Sequence, residues 1–266
     1  MNTDQYLSRI GLDPGDVDEP NAETLERLQQ AHLTAVPFEA LSVSGDPHGD
    51  RQPEGVSLDV ADLYEKIVER QRGGICYELN TLFRWLLSEL GFEADLLAAR
   101  VTAPDGTYGP PGDHQPLLVS LDEPYVADVG FGGDVIRRPL PLDGTPVEGP
   151  EGSWRLAESD RGDADYVAQS AGFDGDDWTD RFVFRAQARQ STYFEPACEY
   201  HESAPDATFA DWALVTMATE RGHRTLTAGS YVEVEGDERH ERSVSEAEWR
   251  RLLETAFGIQ YRSDFQ

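Results

Sequence analysis

The sequence is short of several things at once: in 266 residues it has two cysteines, two methionines and a single lysine. Two cysteines, Cys76 and Cys198, allow one bridge at most, so the chain is no disulfide scaffold, and both read as reduced thiols. The six histidines, at 32, 48, 114, 201, 223 and 240, lack the paired spacing of zinc motifs, so no metal is expected. Apolar runs are short as well, none approaching the roughly 20 residues of a membrane-spanning helix. The opening Met-Asn-Thr-Asp-Gln has neither the basic start nor the apolar stretch of a secretion signal, which leads us to expect a cytoplasmic protein. Positive charge is the largest deficit. Lys and Arg total 22 against 51 Asp and Glu, a formal net charge of −29, and every one of the 22 except Lys66 is arginine. Phosphate backbones and anionic lipids need basic patches, so nucleic acid and membrane are excluded as partners. The acid is spread along a chain whose aromatic content is 10%, which is not the composition of a disordered protein. It resembles the surface of proteins from a salt-rich (halophilic) cytoplasm, where concentrated salt screens self-repulsion.

What is present divides into three parts. Residues 1–92 read as helical: Leu25, Leu28 and Ala31 make one stripe, Leu58, Val60, Leu63 and Ile67 another, and Ile75, Leu79, Leu82, Phe83, Leu86, Leu87 and Leu90 a third that closes at Gly91. His32, beside the first stripe, reads as a satisfied structural histidine. Residues 93–195 hold short apolar runs, 96–101, 117–121, 125–129, 154–156 and 181–186, split by Gly, Pro and Asp as in antiparallel strands. The stretch 141–152 reads as a loop, and acidic 157–180 as surface structure without clear period. In 196–266 the signals mix, with two strands from His223 to Val234 around Gly229 and a capping box, Ser245 to Glu248, opening a final helix. Helices, then strands, then a mixed tail make an α+β chain.

Arg72-Gly73-Gly74-Ile75-Cys76-Tyr77-Glu78 places Cys76 in the first turn of the third helix, where unpaired N–H groups and the helix dipole favour an anion and lower a thiol pKa. A buried small hydrophobe is the alternative for an isolated cysteine. Thiolate chemistry also needs a base and a group to orient it. His114 follows a Gly/Pro-rich loop and precedes the apolar run Leu117-Leu118-Val119, and Asp128 lies inside the apolar run from Tyr125 to Val129, just before a glycine turn. An unpaired buried carboxylate is costly, so His114 and Asp128 are natural partners. A metal held by Asp113, His114 and Asp128 is the weaker reading.

The runs RGGICYELN (72–80) and VADVGFGG (126–133), with the lone His114 between them, resemble the three signatures of the arylamine N-acetyltransferases. YLSRIGL (6–12), HLTAVPFEAL (32–41) and the late FGIQY are similar to further segments of that family, so the likeness covers almost the whole chain. The resemblance implies a helical N-terminal bundle, a central antiparallel β-barrel, an α/β lid and a cysteine-protease-like core. It implies that Cys76 accepts the acetyl group, His114 is its base and Asp128 orients the base. Phe38, Tyr77, Phe131, Gly132 and Phe209 match pocket positions, and Arg72 and Glu39 match a supporting ion pair. The implied reaction is ping-pong transfer from acetyl coenzyme A, a co-substrate, to an arylamine or arylhydrazine, with no bound cofactor. A related amide synthase or acyl-coenzyme A hydrolase using the same triad is the alternative. The chain departs from the pattern at Ala40, where the family commonly has Asn, and at Thr208, where bacterial members have His.

Overall fold

The computed structural model of the chain describes residues 1–17, 19–49, 53–133, 136–173, 177–204, 207, 209 and 212–260. The helical part contains α1 (Thr3–Arg9), α2 (Ala22–Ala35), α3 (Leu41–Ser44), α4 (Val60–Tyr64) and α5 (Cys76–Glu89). Asn21 caps α2 by accepting the Thr24 N–H, and Asp59 caps α4 through the Ala61 and Asp62 N–H groups. The apolar stripes pack where their spacing puts them: Leu25, Leu28, Leu63, Ile67, Leu79, Leu82, Phe83 and Leu86 are fully buried in one core. Each such side chain contributes about 1.5–3 kcal/mol of transfer free energy. His32 is structural but not satisfied. It lies between the Tyr6 and Phe83 rings with no hydrogen-bond partner on either nitrogen among the described residues. Burial, with Arg9 adding to it, lowers its pKa to about 3. Among the described residues no helix is long and apolar enough to cross a membrane.

The run 96–101 breaks at a corner, Leu97–Ala98, into β2 (Glu93–Leu96) and β3 (Ala99–Val101), which enter different sheets. One sheet has the order β2, β4 (Leu117–Ser120), β5 (Tyr125–Ala127), β6 (Leu140–Pro141), and the other β3, β10 (Thr179–Phe184), β9 (Tyr166–Ala171), β8 (Gly152–Glu158), β7 (Val147–Gly149). All their pairings are antiparallel. They share a core of Leu97, Val126, Leu140, Trp154, Phe182 and Phe184. The expected closed barrel is therefore not observed. The corner sends successive residues to two open sheets, and β2, β6, β3 and β7 are edges in the described pairings. The acidic stretch 157–180 is not mere surface either, since it supplies the end of β8, all of β9, which lies inside its sheet, and the start of β10.

A third sheet has the order β1 (Phe38–Glu39), β11 (Val215–Ala218), β12 (Gly222–Leu226), β13 (Ser230–Glu235), β14 (Glu238–Ser243). Helix α7 (Glu246–Phe257) covers it with Trp249, Leu252, Leu253 and Phe257, and α6 (Glu195–Ser203) lies on the first core. Because β1 belongs to the helical segment and pairs with β11 of the last segment, this sheet crosses the three-part division at 92 and 195. It also fixes Phe38, which forms a parallel bridge with Gly74, two residues before Cys76.

Candidate active site

The chain reaches Cys76 through a tightly held turn. Glu39 N–H donates to the Gly74 carbonyl at 3.0 Å, and a Cβ on Gly73 would lie 2.0 Å from the Pro37 carbonyl oxygen, so only glycine passes there. Arg72 holds Glu39 Oε1 at 2.6 and 2.8 Å, both side chains buried, and donates to Glu54 at 3.1 Å. Glu39 Oε2 accepts the Leu41 N–H at 3.0 Å, and Arg72 followed by Lys66 holds its carboxyl below the usual range against burial. Helix α5 then opens at Cys76, with Glu78 reaching back to accept the Ile75 N–H at 3.1 Å. The first N–H groups of a helix lack the i−4 carbonyl that later ones bond, although the Glu78 N–H here reaches the Ile75 carbonyl at 3.0 Å.

Asp128 sits one residue beyond β5 rather than inside it, and His114 sits before β4, bridged to Ala99. His114 Nε2 is 2.6 Å from Asp128 Oδ2, both groups buried. Asp128 Oδ1 accepts from Asn80 Nδ2 at 2.9 Å and from the Gly130 N–H at 2.8 Å. With Asp128 acting as acceptor to three donors, Nε2 is assigned the shared hydrogen and Nδ1 the lone pair. Cys76 is brought to the same corner from two sides. The Gln115 backbone N–H, next to His114, acts on the thiol to lower its pKa, and a Cβ on Gly130 would lie 2.7 Å from the Cys76 Cα, so the Asp128 turn runs directly over the start of α5.

The thiol does not have the lowered pKa expected from its helix position. Burial pushes it well above the usual value, the Asp128 carboxylate next and then Cys198 and Asp113 add to the rise, and the Gln115 N–H opposes them. The helix terminus alone is outweighed, so a thiolate at Cys76 needs a base to take the proton. Cys198 is free and packed in α6, its pKa pushed up to about 12, chiefly by burial.

Three amide side chains and one glycine complete this corner, none of them given a role by sequence pattern alone. Asn80 bonds Asp128 and also accepts the Val129 N–H at 3.0 Å. Gln29 accepts the Asp128 N–H at 3.2 Å and donates to the Ile136 carbonyl at 2.8 Å, bracing the loop from α2. Gln115 holds Thr81 at 2.9 Å, and Gly130 permits the close crossing. Asn80 and Gln29 were detectable as polar residues on buried helix faces, Asn80 four residues after Cys76.

The aromatic positions separate into two groups. Phe131 stands edge-on to His114 at 5.0 Å between ring centres, together with Phe182 at 5.2 Å, and opens onto a cleft of about 730 Å³ that Tyr108, Trp178 and Arg181 also line. Neither this cleft nor a second cavity, of about 640 Å³ between α2 and Arg137, is lined by Cys76, His114 or Asp128 themselves; the first comes nearest, through Phe131. Phe38 lies 5.7 Å from Phe209 and packs over Gly132. Tyr77 is fully buried against Phe194 and His201, its hydroxyl donating to the Gly112 carbonyl at 2.9 Å. Ala40 is buried, its N–H donating to the Leu214 carbonyl, while Thr208 and Tyr261 of the FGIQY run lie outside the described residues. Among the described residues no group of three His, Cys, Asp or Glu is arranged to hold a metal ion.

Residues 21–265 match the profile of the N-acetyltransferase family. The chain is 31% identical to an arylamine N-acetyltransferase of Mycolicibacterium smegmatis over 97% of its own length and 92% of the relative's. It is 30% identical to the proansamycin X synthase of Amycolatopsis mediterranei over 95% of each. Its fold superposes on the arylamine N-acetyltransferase of Salmonella typhimurium with a TM-score of 0.86 at 27% identity, covering 99% of this chain and 93% of that one. With the match running through nearly the whole length and the buried cysteine, histidine and aspartate at one corner of the fold, the chain belongs to the arylamine N-acetyltransferase family.

Proposed function

We propose that the chain transfers an acetyl group from acetyl coenzyme A to the nitrogen of an arylamine or arylhydrazine by way of a Cys76 thioester. The observation that carries this reading is the buried His114–Asp128 pair whose following glycine, Gly130, passes directly against the Cys76 backbone. His114 Nδ1 takes the thiol proton as Cys76 attacks the thioester carbonyl, and the positive ring is stabilised by Asp128. The first-turn N–H groups of α5 receive the developing oxyanion. Coenzyme A departs as a thiol with that proton. The amine then attacks the acetyl-cysteine, His114 removes its proton, and Cys76 is regenerated. Phe38, Gly132 and Phe209 form one wall of the acceptor pocket and Phe131 the other, while Tyr77 supports the turn before His114. Residues 1–92 carry the nucleophile, 93–195 the histidine and aspartate, and 196–266 the lid.

Intact-protein mass after incubation with acetyl coenzyme A tests the reading. One acetyl increment on the parent chain, absent from Cys76→Ala and discharged by an aryl acceptor, is the expected result. An unmodified parent chain counts against it. Similarity to the proansamycin X synthase of Amycolatopsis mediterranei supports a second reading, an amide synthase in which an acyl group other than acetyl is transferred, and a panel of acyl donors in the same assay separates the two.

The acidic surface supports a salt-rich cytoplasm as the working environment. Screening lengths fall from about 30 Å at 0.01 M salt to about 3 Å at 1 M, so both repulsion within the fold and repulsion of anionic coenzyme A are relieved by salt. Activity and melting temperature should climb together through a KCl series, and a protein equally stable and active in dilute buffer refutes this assignment.

A further inference from the structure

The only lysine of the chain is among its most buried cations. Lys66 is 5% exposed, with Nζ 2.6 Å from Ser42 Oγ and 2.7 Å from Glu78 Oε1. Glu78, 1% exposed, uses its other oxygen to accept the Ile75 N–H and so caps α5 at the nucleophile. Two backbone irregularities surround this contact. Lys66 lies in a π-helical turn, Glu65–Glu69, closed by the Arg70 N–H on the Glu65 carbonyl at 2.8 Å. Such turns recur at functional sites because the extra residue redirects a side chain. Gln71, with φ 53°, is the one non-glycine residue with positive φ among the described residues. Backbone of this kind persists where surrounding contacts over-determine it. Here those contacts are Lys66 to Glu78 and Arg72 to Glu39, and both anions border the turn that delivers Cys76.

Resting on the acetyl-transfer reading above, we propose that Lys66 is a positioning residue for the reaction: by balancing and pinning Glu78 it fixes the first turn of α5, and with it the Cys76 sulfur and the oxyanion-binding N–H groups. The choice of residue fits the task. An ammonium is a compact charge that can sit between a hydroxyl and a carboxylate, whereas a planar guanidinium needs a wider acceptor array. Burial pushes the Glu78 carboxyl up and Lys66 pushes it back down, so loss of the lysine leaves an uncompensated acid one turn from the thiol. Other charged groups also face the pair. Glu39 acts on Glu78 from β1, with Arg72 and Glu54 behind it; Cys198 feels Glu78 from α6; and Asp62, Arg70 and Glu202 share with it a cavity of about 470 Å³. None of these contacts replaces the direct bond from Lys66.

The test is the pH profile of iodoacetamide modification of Cys76 in a Cys198→Ser background, together with the single-turnover rate of Cys76 acetylation. The variants are Lys66→Met, Lys66→Arg, Glu78→Gln and the double variant Lys66→Met with Glu78→Gln. Removing one member of a buried pair is far more disruptive than replacing both. Lys66→Met is therefore expected to move the labelling midpoint upward and slow acetylation roughly tenfold or more, and Glu78→Gln, whose amide oxygen still accepts the Ile75 N–H, is expected to restore most of both losses. Lys66→Arg should fall between. A Lys66→Met protein with the parent's midpoint and rate overturns the proposal, because a merely structural role would lower the melting temperature alone. If Lys66→Met does not fold, the double variant decides: a folded, near-parental enzyme supports the proposal, and one that is slow or unfolded overturns it. Failure of the parent to accept acetyl would remove the acetyl-transfer reading and leave the labelling profile to test the positioning of Cys76.

Discussion

The charges beneath Cys76 and those on the outer face of the third sheet use the same chemical groups in opposite ways. Under the nucleophile, Arg72–Glu39 and Lys66–Glu78 are closed off from water and each oxygen has an assigned donor. On the outer face every residue of β14 is exposed, and Arg239–Glu241 and Arg242–Glu248 join flexible side chains at 2.8 and 2.6 Å. Exposed pairs of this kind contribute about 0–1 kcal/mol, because solvent and salt screen them and two long side chains must be ordered. Breaking a buried pair costs about 3–5 kcal/mol, because the remaining charge has neither partner nor water. Short distance alone does not distinguish the two regions. Burial and the number of satisfied atoms do.

The sharpest separation should come at Asp128, the buried charge nearest the chemistry. Asp128→Asn keeps the shape but not the charge that stabilises the imidazolium, and turnover should fall by roughly 10⁴, with His114→Ala adding little to it. Steady-state rates of the two single variants and the double variant measure this, and full additivity would show that the residues do not act as a unit. Next is Glu39→Gln, which removes the carboxylate that Arg72 holds at 2.6 and 2.8 Å. Its denaturation midpoint should correspond to a loss of about 3–5 kcal/mol, and a loss as small as that of a surface pair would erase the contrast drawn here.

His32 supplies an intermediate case, a buried group that is neutral. Its folded pKa of about 3 lies below the ordinary 6.5. Its contribution is therefore fully present above pH 6.5 and is lost as pH falls toward 3, by about 1.4 kcal/mol for each unit of that interval. His32→Phe should flatten this part of the acid-unfolding curve, and an unchanged slope would mean that His32 is not charged on unfolding. The smallest effect is expected from Arg242→Ala, less than about 1 kcal/mol in dilute buffer and nothing measurable in molar KCl. A larger loss, or one that persists in salt, would place that surface pair with the buried ones.

The parts of this fold that were legible in the sequence are those fixed by local period. Helix α2, α5 and α7 carry unbroken apolar stripes, and Ser245 caps α7 as its spacing suggests, accepting the Glu248 N–H at 3.4 Å. Strand β9 was hidden because its alternation lies inside an acidic stretch, and α6, with Pro196 in its first turn and only Cys198 and His201 buried, has almost no stripe to read. Sheet closure depends on which strands meet at a distance, and the Leu97–Ala98 corner has no glycine or proline to mark it. At the site, Cys76, His114 and Asp128 could be singled out because ionisable groups near apolar runs need an explanation. Gln29 stands out as a polar residue on a buried helix face, but its partner lies 99 positions away and no local spacing identifies it. The direction of the Cys76 pKa was also out of reach, since it is set by the depth of burial and by charges converging from other elements.

The burial of Lys66 has a consequence for the molecule's exposure to its own proposed donor. Activated acyl compounds modify free amines without any enzyme, and a protein that works among them is a target in proportion to its accessible lysines. This chain presents arginine at every other Lys or Arg position, and a guanidinium stays protonated and unreactive under these conditions. Its one ε-amino group is buried and hydrogen-bonded to both Ser42 and Glu78. Apart from the amino terminus, the surface therefore offers no amine to spontaneous acylation, and any amine-directed reagent that does reach Lys66 reports that the ground beneath the nucleophile has opened.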